Sequence, residues 1–370
     1  MRVILTGGGT GGHVYPAIAI GQAIFKEWPR TEFLYVGTEA GLEKRILSST
    51  RFPFVSIDVE GIQRKVSFQV FRAAWKALIG LQQAERIIHD FVPHLVIGTG
   101  GYVCLPMVWA ATRKGIPTII HEQNALPGLT NRFLSRRVNE VLLTFPEAKE
   151  RLAKNVQYKA VMTGMPIREE IMQVTRQEGL DYFGFSPGKR TLLCLGGSRG
   201  ALSINKAMLH ICKELKDEVQ IVHITGVNGY NSFMQELKST GINVGNSGNI
   251  IIRPYLHHME YALACADLCV ARAGAAFLSE MTTRGIPGVL IPYPYAAENH
   301  QEYNAKALRE KNAAVILLDK ELSGEVLLKQ VSEIIFNDQR RNLMAENSKK
   351  AGNIEAIEKI IEVVRPYIKK

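Results

Sequence analysis

The feature that most narrows what this chain can fold into is a motif that occurs twice. At the N-terminus, Arg2-Val3-Ile4-Leu5-Thr6 is a short apolar, β-branched run that reads as a buried strand. It stops at Gly7-Gly8-Gly9-Thr10-Gly11-Gly12, and after His13 the apolar residues (Val14, Ala17, Ile18, Gly21, Ile24) take a helical spacing. Near the middle, Thr191-Leu192-Leu193-Cys194-Leu195 runs into Gly196-Gly197-Ser198-Arg199-Gly200-Ala201 and a second helical pattern. Strand, glycine loop and helix start present unpaired backbone N–H groups at the positive end of a helix dipole, a site suited to phosphate. A single such loop is equally well a tight βα turn. Two of them, each opening one half of the chain, predict two Rossmann-like domains facing a shared cleft.

Strand and helix patterns alternate from end to end, as parallel sheets wrapped by helices require. Strand candidates are 2–5, 33–36, 54–58, 95–98, 117–121 and 138–143, then 191–195, 219–225, 249–252, 268–271, 288–291 and 314–317. A polar, Pro/Gly-punctuated stretch from about 163 to 189 reads as the hinge. The expected domains are therefore 1–162 and 163–339. A last helical segment, about 340–370 (Ile354, Ile357, Ile360, Ile361, Val364), is expected to pack back on the first.

Gly7, Gly9 and Gly12 satisfy the dinucleotide pattern G-x-G-x-x-G, but the rest of that fingerprint is missing. The next strand, Phe33-Leu34-Tyr35-Val36, ends on Gly37-Thr38 with no acidic residue at its tip to hold an adenosine ribose, and Glu39 comes too late. A nicotinamide-dependent oxidoreductase is thereby disfavoured. The five cysteines (104, 194, 212, 265, 269) are scattered without C-x-x-C spacing, which fits buried reduced thiols in a cytosolic protein. The first apolar run meets glycine too soon for a signal peptide. Leu95–Thr112 lacks charge but is broken by Gly98, Gly100, Gly101 and Pro106, so strand, loop and helix suit it better than a membrane span.

Charge is informative once divided. Of the net +10, residues 1–160 carry +8 (20 basic, 12 acidic) and residues 161–370 carry +2 (25 basic, 23 acidic). A one-sided basic surface suits a polyanion, either nucleic acid or an anionic membrane. A nucleic-acid module would need exposed aromatic platforms on a sheet. Here the aromatics sit mostly in helical apolar patterns, so no nucleic-acid partner is expected. Residues 64–81 interleave Arg64, Lys65, Arg72 and Lys76 with Val66, Phe68, Phe71, Trp75, Leu78 and Ile79, the pattern of a helix lying in a membrane interface. A domain helix packed inward with snorkelling cations is the alternative. Trp109, Arg113, Lys114, Arg136 and Arg137 could extend the patch.

Polar and glycine-rich clusters fall at predicted strand ends: Thr10-Gly11-Gly12-His13, Gly98-Thr99-Gly100-Gly101-Tyr102, His121-Glu122-Gln123-Asn124, Gly196-Gly197-Ser198, Arg272-Ala273-Gly274-Ala275, and Glu298-Asn299-His300-Gln301. In open α/β sheets ligands bind at that edge. Gly-Gly-Thr-Gly-Gly-His-Val-x-Pro at 8–16, Gly-Gly-Tyr at 100–102 and His-Glu-Gln-Asn at 121–124 resemble the MurG family. So do Gly-Gly-Ser-x-Gly-Ala at 196–201, Arg-Ala-Gly-Ala…Glu at 272–280 and His-Gln-x-x-Asn-Ala at 300–305. These are bacterial enzymes that move N-acetylglucosamine from UDP-N-acetylglucosamine onto a lipid-linked muramyl-pentapeptide, in peptidoglycan synthesis. The motifs are in order and span almost the whole chain.

The resemblance implies the α/β GT-B fold and an inverting transfer by single displacement. It implies that Glu280 takes the ribose diol, that Ser198, with Gly196 and Gly197, holds the diphosphate, and that Arg168 adds counter-charge. The backbone of Leu256 would meet uracil, with Ala275 and Ala276 beside the nucleotide, while Gln301 and Asn124 bond the sugar. Thr10, Gly11 and Gly12 would serve the substrates' phosphates, and Tyr102, Arg72, Trp75, Lys76 and Ile79 the acceptor and the membrane. His13 is the expected base, since a neutral imidazole can take a proton near pH 7. Glu122 is its rival, or the group that orients it. The absence of a D-x-D element implies no required metal or other cofactor. The resemblance also places the protein peripherally on the cytoplasmic face of the cell membrane. Phe277, where the family usually has Thr, and Arg199, where it often has Gln, are departures. A diacylglycerol glycosyltransferase with the same donor is the alternative reading.

Overall fold

The computed structural model describes residues 1–39, 42–48, 50–60, 68–197, 200–242, 244 and 248–368, with the side chains of 42, 45, 68–75 and 77 excepted. The chain forms two compact units, Met1–Ile167 with Glu355–Lys370, and Arg168–Ile354.

The first unit is built on a seven-stranded sheet. In chain order its strands are β1 (Arg2–Thr6), β2 (Glu32–Gly37), β3 (Phe54–Ser56), β4 (Leu95–Gly98), β5 (Thr118–Glu122), β6 (Glu140–Leu143) and β7 (Ala160–Met162). They lie in the order β3-β2-β1-β4-β5-β6-β7. The second unit has six strands: β8 (Arg190–Leu195), β9 (Val219–Ile224), β10 (Ile250–Arg253), β11 (Leu268–Ala271), β12 (Gly288–Leu290) and β13 (Ala314–Ile316). Their order is β10-β9-β8-β11-β12-β13. Every described pairing is parallel.

Parallel strands covered by helices on both faces must be apolar throughout rather than alternating. Accordingly all residues of β4, β9 and β11 are buried. Two clusters flank the first sheet: Ile4, Val96, Met107 and Ile120 on one side, Leu5, Val14, Ile24 and Ile97 on the other. The second core joins Leu192, Ile204, Ile221, Val270 and Leu327.

Sequence patterning misses β7, a three-residue edge strand whose last residue, Met162, is exposed. It also reads 340–370 as one segment of the first domain. The structure divides it: the helix Asp338–Ala351 packs on the helix Ala275–Thr283 of the second unit, and the helix Ala356–Val364 on the helix Gly11–Glu27 of the first. The break follows from packing. A side chain at Gly352 would stand 2.8 Å from the backbone of Thr282 and Thr283.

Candidate active site

In each sheet the strand order reverses at one point, between β1 and β4 in the first and between β8 and β11 in the second. At such a point the loops leaving the two strands diverge and open a crevice at the carboxyl edge. The loop residues there are Gly7–Thr10 and Thr99–Tyr102 in one unit, and Gly196, Gly197, Gly200, Ala201 and Arg272–Gly274 in the other. Four of the six clusters singled out in the sequence lie beside these switch points, while those at 121–124 and 298–301 lie after β5 and β12.

The first crevice is held by close backbone approach. Gly101 has φ +83°, and a side chain there would lie 2.3 Å from the Gly8 carbonyl oxygen. Gly8 N–H donates to Gly100 O at 3.3 Å. The Thr99 hydroxyl donates to His13 O at 2.6 Å, and the Cys104 thiol to Thr6 O at 2.9 Å. Burial pushes that thiol up to about 12, so it remains a donor.

His13 lies in the first turn of the helix Gly11–Glu27, whose N-cap Thr10 makes no side-chain cap bond. Its Nδ1 lies 2.9 Å from Gly8 O and 3.4 Å from the Thr10 hydroxyl. A carbonyl only accepts, so the ring hydrogen is assigned to Nδ1 and the neutral ring's acceptor atom is Nε2. The ring packs on Gly100, where a side chain would come within 3.1 Å of Nε2. Tyr102 packs on Gly9 across the loop. Thr10 is exposed, and Gly11 and Gly12 are half-buried.

Two supports escape sequence reasoning. Glu43, fully buried, accepts from Thr38 N at 2.9 Å and the Thr38 hydroxyl at 2.6 Å. Its other oxygen accepts from Gly9 N at 3.4 Å. The buried Tyr35 hydroxyl donates to Gly7 O at 2.6 Å. Burial raises that phenol well above its usual range, keeping it a donor. Glu43 lies on a short helix and looks, in sequence, like any solvated acid. Its burial depends on a contact with a loop more than thirty residues away.

Glu122, the rival base, is 2% exposed and spends both oxygens on its own loop. Oε1 accepts from Asn124 N at 2.9 Å and Asn124 Nδ2 at 3.2 Å. Oε2 accepts from Gly128 N at 3.0 Å and Asn131 Nδ2 at 2.8 Å. That geometry makes it a scaffold for the 123–131 loop and leaves Asn124, half-buried, oriented by it. The neighbouring His121 donates from Nε2 to Gly164 O at 3.0 Å and accepts from Gln123. Burial depresses it to about 4, so it is neutral.

In the second unit Gly196 and Gly200 bring the loop against backbone. Side chains there would lie 2.4 Å from Ala201 N and 2.2 Å from Thr225 O. Ser198 and Arg199 lie outside the described residues. Gly274 is the N-cap of the helix Ala275–Thr283 and makes no side-chain cap. Ala275 is buried, and Ala276 and Phe277 half-buried. Further along, Glu280 meets Arg168: Nη2 stands 3.2 Å and Nε 3.4 Å from Oε1. Burial raises the Glu280 carboxyl, and Arg168 partly offsets this. Leu256 is buried in the turn after β10.

Asn304, fully buried, donates to Ala273 O at 3.1 Å and ties the helix His300–Glu310 to the β11 loop. Gln301 accepts from Tyr293 N at 2.9 Å. Arg272 donates to Ile291 O and Pro292 O, both at 3.2 Å, and pairs with Asp319. It is a clamp on the loops after β11 and β12.

The surface expected to meet a membrane is partly different from the sequence reading. Residues 61–67 and the side chains of Arg72 and Trp75 lie outside the described residues. Lys76 is not a spare cation, since it pairs with Asp58 at 3.0 Å and Glu60 at 2.6 Å. Ile79 is half-buried, while Leu78 is exposed. Trp109 stacks on the exposed Phe133 at 5.0 Å, and the Arg137 guanidinium lies 4.2 Å over it. No helix among the described residues is long and apolar enough to cross a membrane.

Known proteins resemble this chain over its whole length. Residues 3–143 match the glycosyltransferase family 28 N-terminal domain and residues 191–362 its C-terminal domain. The UDP-N-acetylglucosamine–N-acetylmuramyl-(pentapeptide) pyrophosphoryl-undecaprenol N-acetylglucosamine transferase of Desulforamulus reducens is 48% identical over 370 residues, covering 100% of this chain and 99% of the relative. The protein of the same name from Bacillus subtilis is 44% identical, covering 98% and 99%. The crystal structure of Acinetobacter baumannii MurG superposes with a TM-score of 0.78 at 28% identity, covering 99% of each chain. From end to end, therefore, the chain belongs to glycosyltransferase family 28, in the MurG branch of GT-B glycosyltransferases.

Proposed function

We propose that this protein transfers N-acetylglucosamine from UDP-N-acetylglucosamine to the lipid-linked undecaprenyl-diphospho-muramoyl-pentapeptide, with inversion, in peptidoglycan synthesis. The observation that carries the reading is the full-length match to transferases of that name, in a chain whose glycine loops lie at the switch points of both sheets. The relatives do not favour diacylglycerol as acceptor.

In this reading the second unit binds the donor. Glu280 accepts both ribose hydroxyls, which suits a carboxylate because each oxygen accepts, and Arg168 turns from Glu280 toward the diphosphate. The loop at Gly196, Gly197 and Ser198 and the start of the helix at Ala275 and Ala276 supply amides to the departing UDP. Leu256 meets uracil, and Gln301 and Asn124 hold the sugar. The first unit binds the acceptor, its diphosphate at Thr10, Gly11 and Gly12 beside Tyr102. His13 removes the acceptor proton through Nε2, with Nδ1 tethered to Gly8 O to fix the ring. Glu122 positions Asn124. The leaving group needs no metal.

Membrane contact is assigned to the exposed Leu78, Leu129 and Phe133, with Trp109 and Arg137 stacked beside Phe133 and Arg136 next to them in sequence, apolar side chains and cations suited to anionic lipid at the cytoplasmic face.

Calorimetric titration with UDP-N-acetylglucosamine, UDP-glucose and NADH, without metal, tests the donor assignment. Selective binding of the first is expected. Preference for UDP-glucose would move the reading to another glycosyltransferase, and silence with every UDP-sugar would remove it.

A further inference from the structure

At the amino-terminal edge of the second sheet, opposite the glycine loops, lies a cavity of about 250 Å³ lined by Arg176, Arg190, Arg284 and Arg341. Arg190 begins β8, Asp267 immediately precedes β11 and Pro287 immediately precedes β12, which fixes the cavity at that edge. Four guanidinium groups around one space repel one another unless counter-charge is supplied. Two carboxylates supply part of it. Asp267 accepts from Arg176 at 2.8 Å and lies 3.8 Å from Arg190. Asp338 accepts from Arg190 at 3.0 Å and from Arg341 at 2.6 Å.

Among the described residues, no carboxylate pairs with Arg284. Its Nη1 donates to two neutral carbonyls, Ile171 O at 3.3 Å and Val174 O at 3.1 Å. Burial disfavours its charged form and lowers its pKa. Against these four cations stand two carboxylates, which bind three of them, so among the described residues the arginine cluster carries a surplus of positive charge. Arginines lining a small concave space match the oxygens of a phosphoryl group better than those of any neutral ligand.

We infer that this cavity binds a small phosphoryl anion, phosphate or diphosphate, either free or carried on a small metabolite, at a site separate from the sugar-nucleotide site. The assignment does not depend on the proposed transfer reaction, because the lining residues are remote in the fold from the glycine loops.

The test is calorimetric titration of the full-length protein with inorganic pyrophosphate and with glycerol 3-phosphate, with and without saturating UDP. Variants Arg190→Gln and Arg284→Gln are titrated alongside, with circular dichroism as the check on folding. Arg190 is part-exposed, so its variant should fold even if Arg284→Gln does not. The inference predicts binding that survives UDP and weakens roughly tenfold or more in either folded variant, the scale of losing one charge-assisted pair. Heat from pyrophosphate alone assigns a free anion, and heat from glycerol 3-phosphate a carried one. No heat from either probe, or binding unchanged in the folded variants, overturns the inference. So does binding abolished by UDP.

Discussion

Replacing Glu122 by Gln separates two roles that sequence alone leaves open. The substitution keeps shape and removes charge. In the structure four N–H groups converge on the carboxylate, two on each oxygen, at 2.8–3.2 Å. An amide offers one oxygen to two of them and turns its own NH₂ toward the other two, so two hydrogen bonds are lost whichever way it flips. Bonds to a charged acceptor are worth about 1.5–3 kcal/mol each, so the loss is about 3–6 kcal/mol. For a unit of this size that lowers Tm by roughly 10–20 °C. Thermal unfolding followed by circular dichroism reads the shift directly, and steady-state transfer well below the new Tm reads catalysis. As a scaffold, Glu122→Gln should be strongly destabilised yet retain measurable turnover with an unaltered pH–rate profile. Turnover abolished in a variant within about 1 kcal/mol of the parent's stability would refute the reasoning, since that is the signature of a lost base rather than a lost scaffold.

Other consequences follow from single residues. Gly101→Ala forces a side chain to 2.3 Å from Gly8 O at φ +83°, displacing the carbonyl that holds His13. Turnover should fall while UDP binding in the second unit holds, and a parallel loss of UDP affinity would contradict the assignment of the two units. Glu280→Ala should weaken UDP binding by about 1–3 kcal/mol in calorimetry, the scale of leaving polar partners unmet, and an unchanged affinity would exclude the diol role. His121 is held near 4 in the folded state, below its ordinary value of 6.5. Its folded pKa is depressed, so the unfolded state binds the proton first and stability falls as pH drops from about 6.5 toward 4. By pH 5 the loss attributable to His121 is about 2 kcal/mol, which urea unfolding of wild type and His121→Gln at pH 7 and pH 5 should resolve. Equal pH dependence in the two proteins would be the contrary result.

Much of the fold was legible because parallel strands buried on both faces leave continuous apolar runs, and because glycine loops mark where strands meet helices. β7 is not, since three residues at a sheet edge, running from buried Ala160 to exposed Met162, carry no pattern. The C-terminal segment reads as one piece because no helix-breaking proline divides it near Gly352, while the break there goes with a close approach to Thr282 that no local pattern encodes. His13 and Glu280 stand out in the sequence from their places in motifs. Glu43 and Tyr35 do not, as their buried contacts with the glycine loop join distant segments. Glu122 is visible in its motif, but its four donors depend on how the 123–131 loop folds around it. Lys76 reads as a surface cation until Asp58 and Glu60 are seen to neutralise it.

The central claim is a transfer between two substrates, and one assay addresses it. The purified protein is incubated with labelled UDP-N-acetylglucosamine and anionic vesicles containing either undecaprenyl-diphospho-muramoyl-pentapeptide or diacylglycerol, in the presence of a metal chelator, and label in the lipid phase is measured. The account predicts label on the muramoyl-pentapeptide lipid alone, lost in His13→Ala while UDP binding persists. Label on diacylglycerol, or none on the muramoyl lipid from a protein that binds the donor, would contradict it.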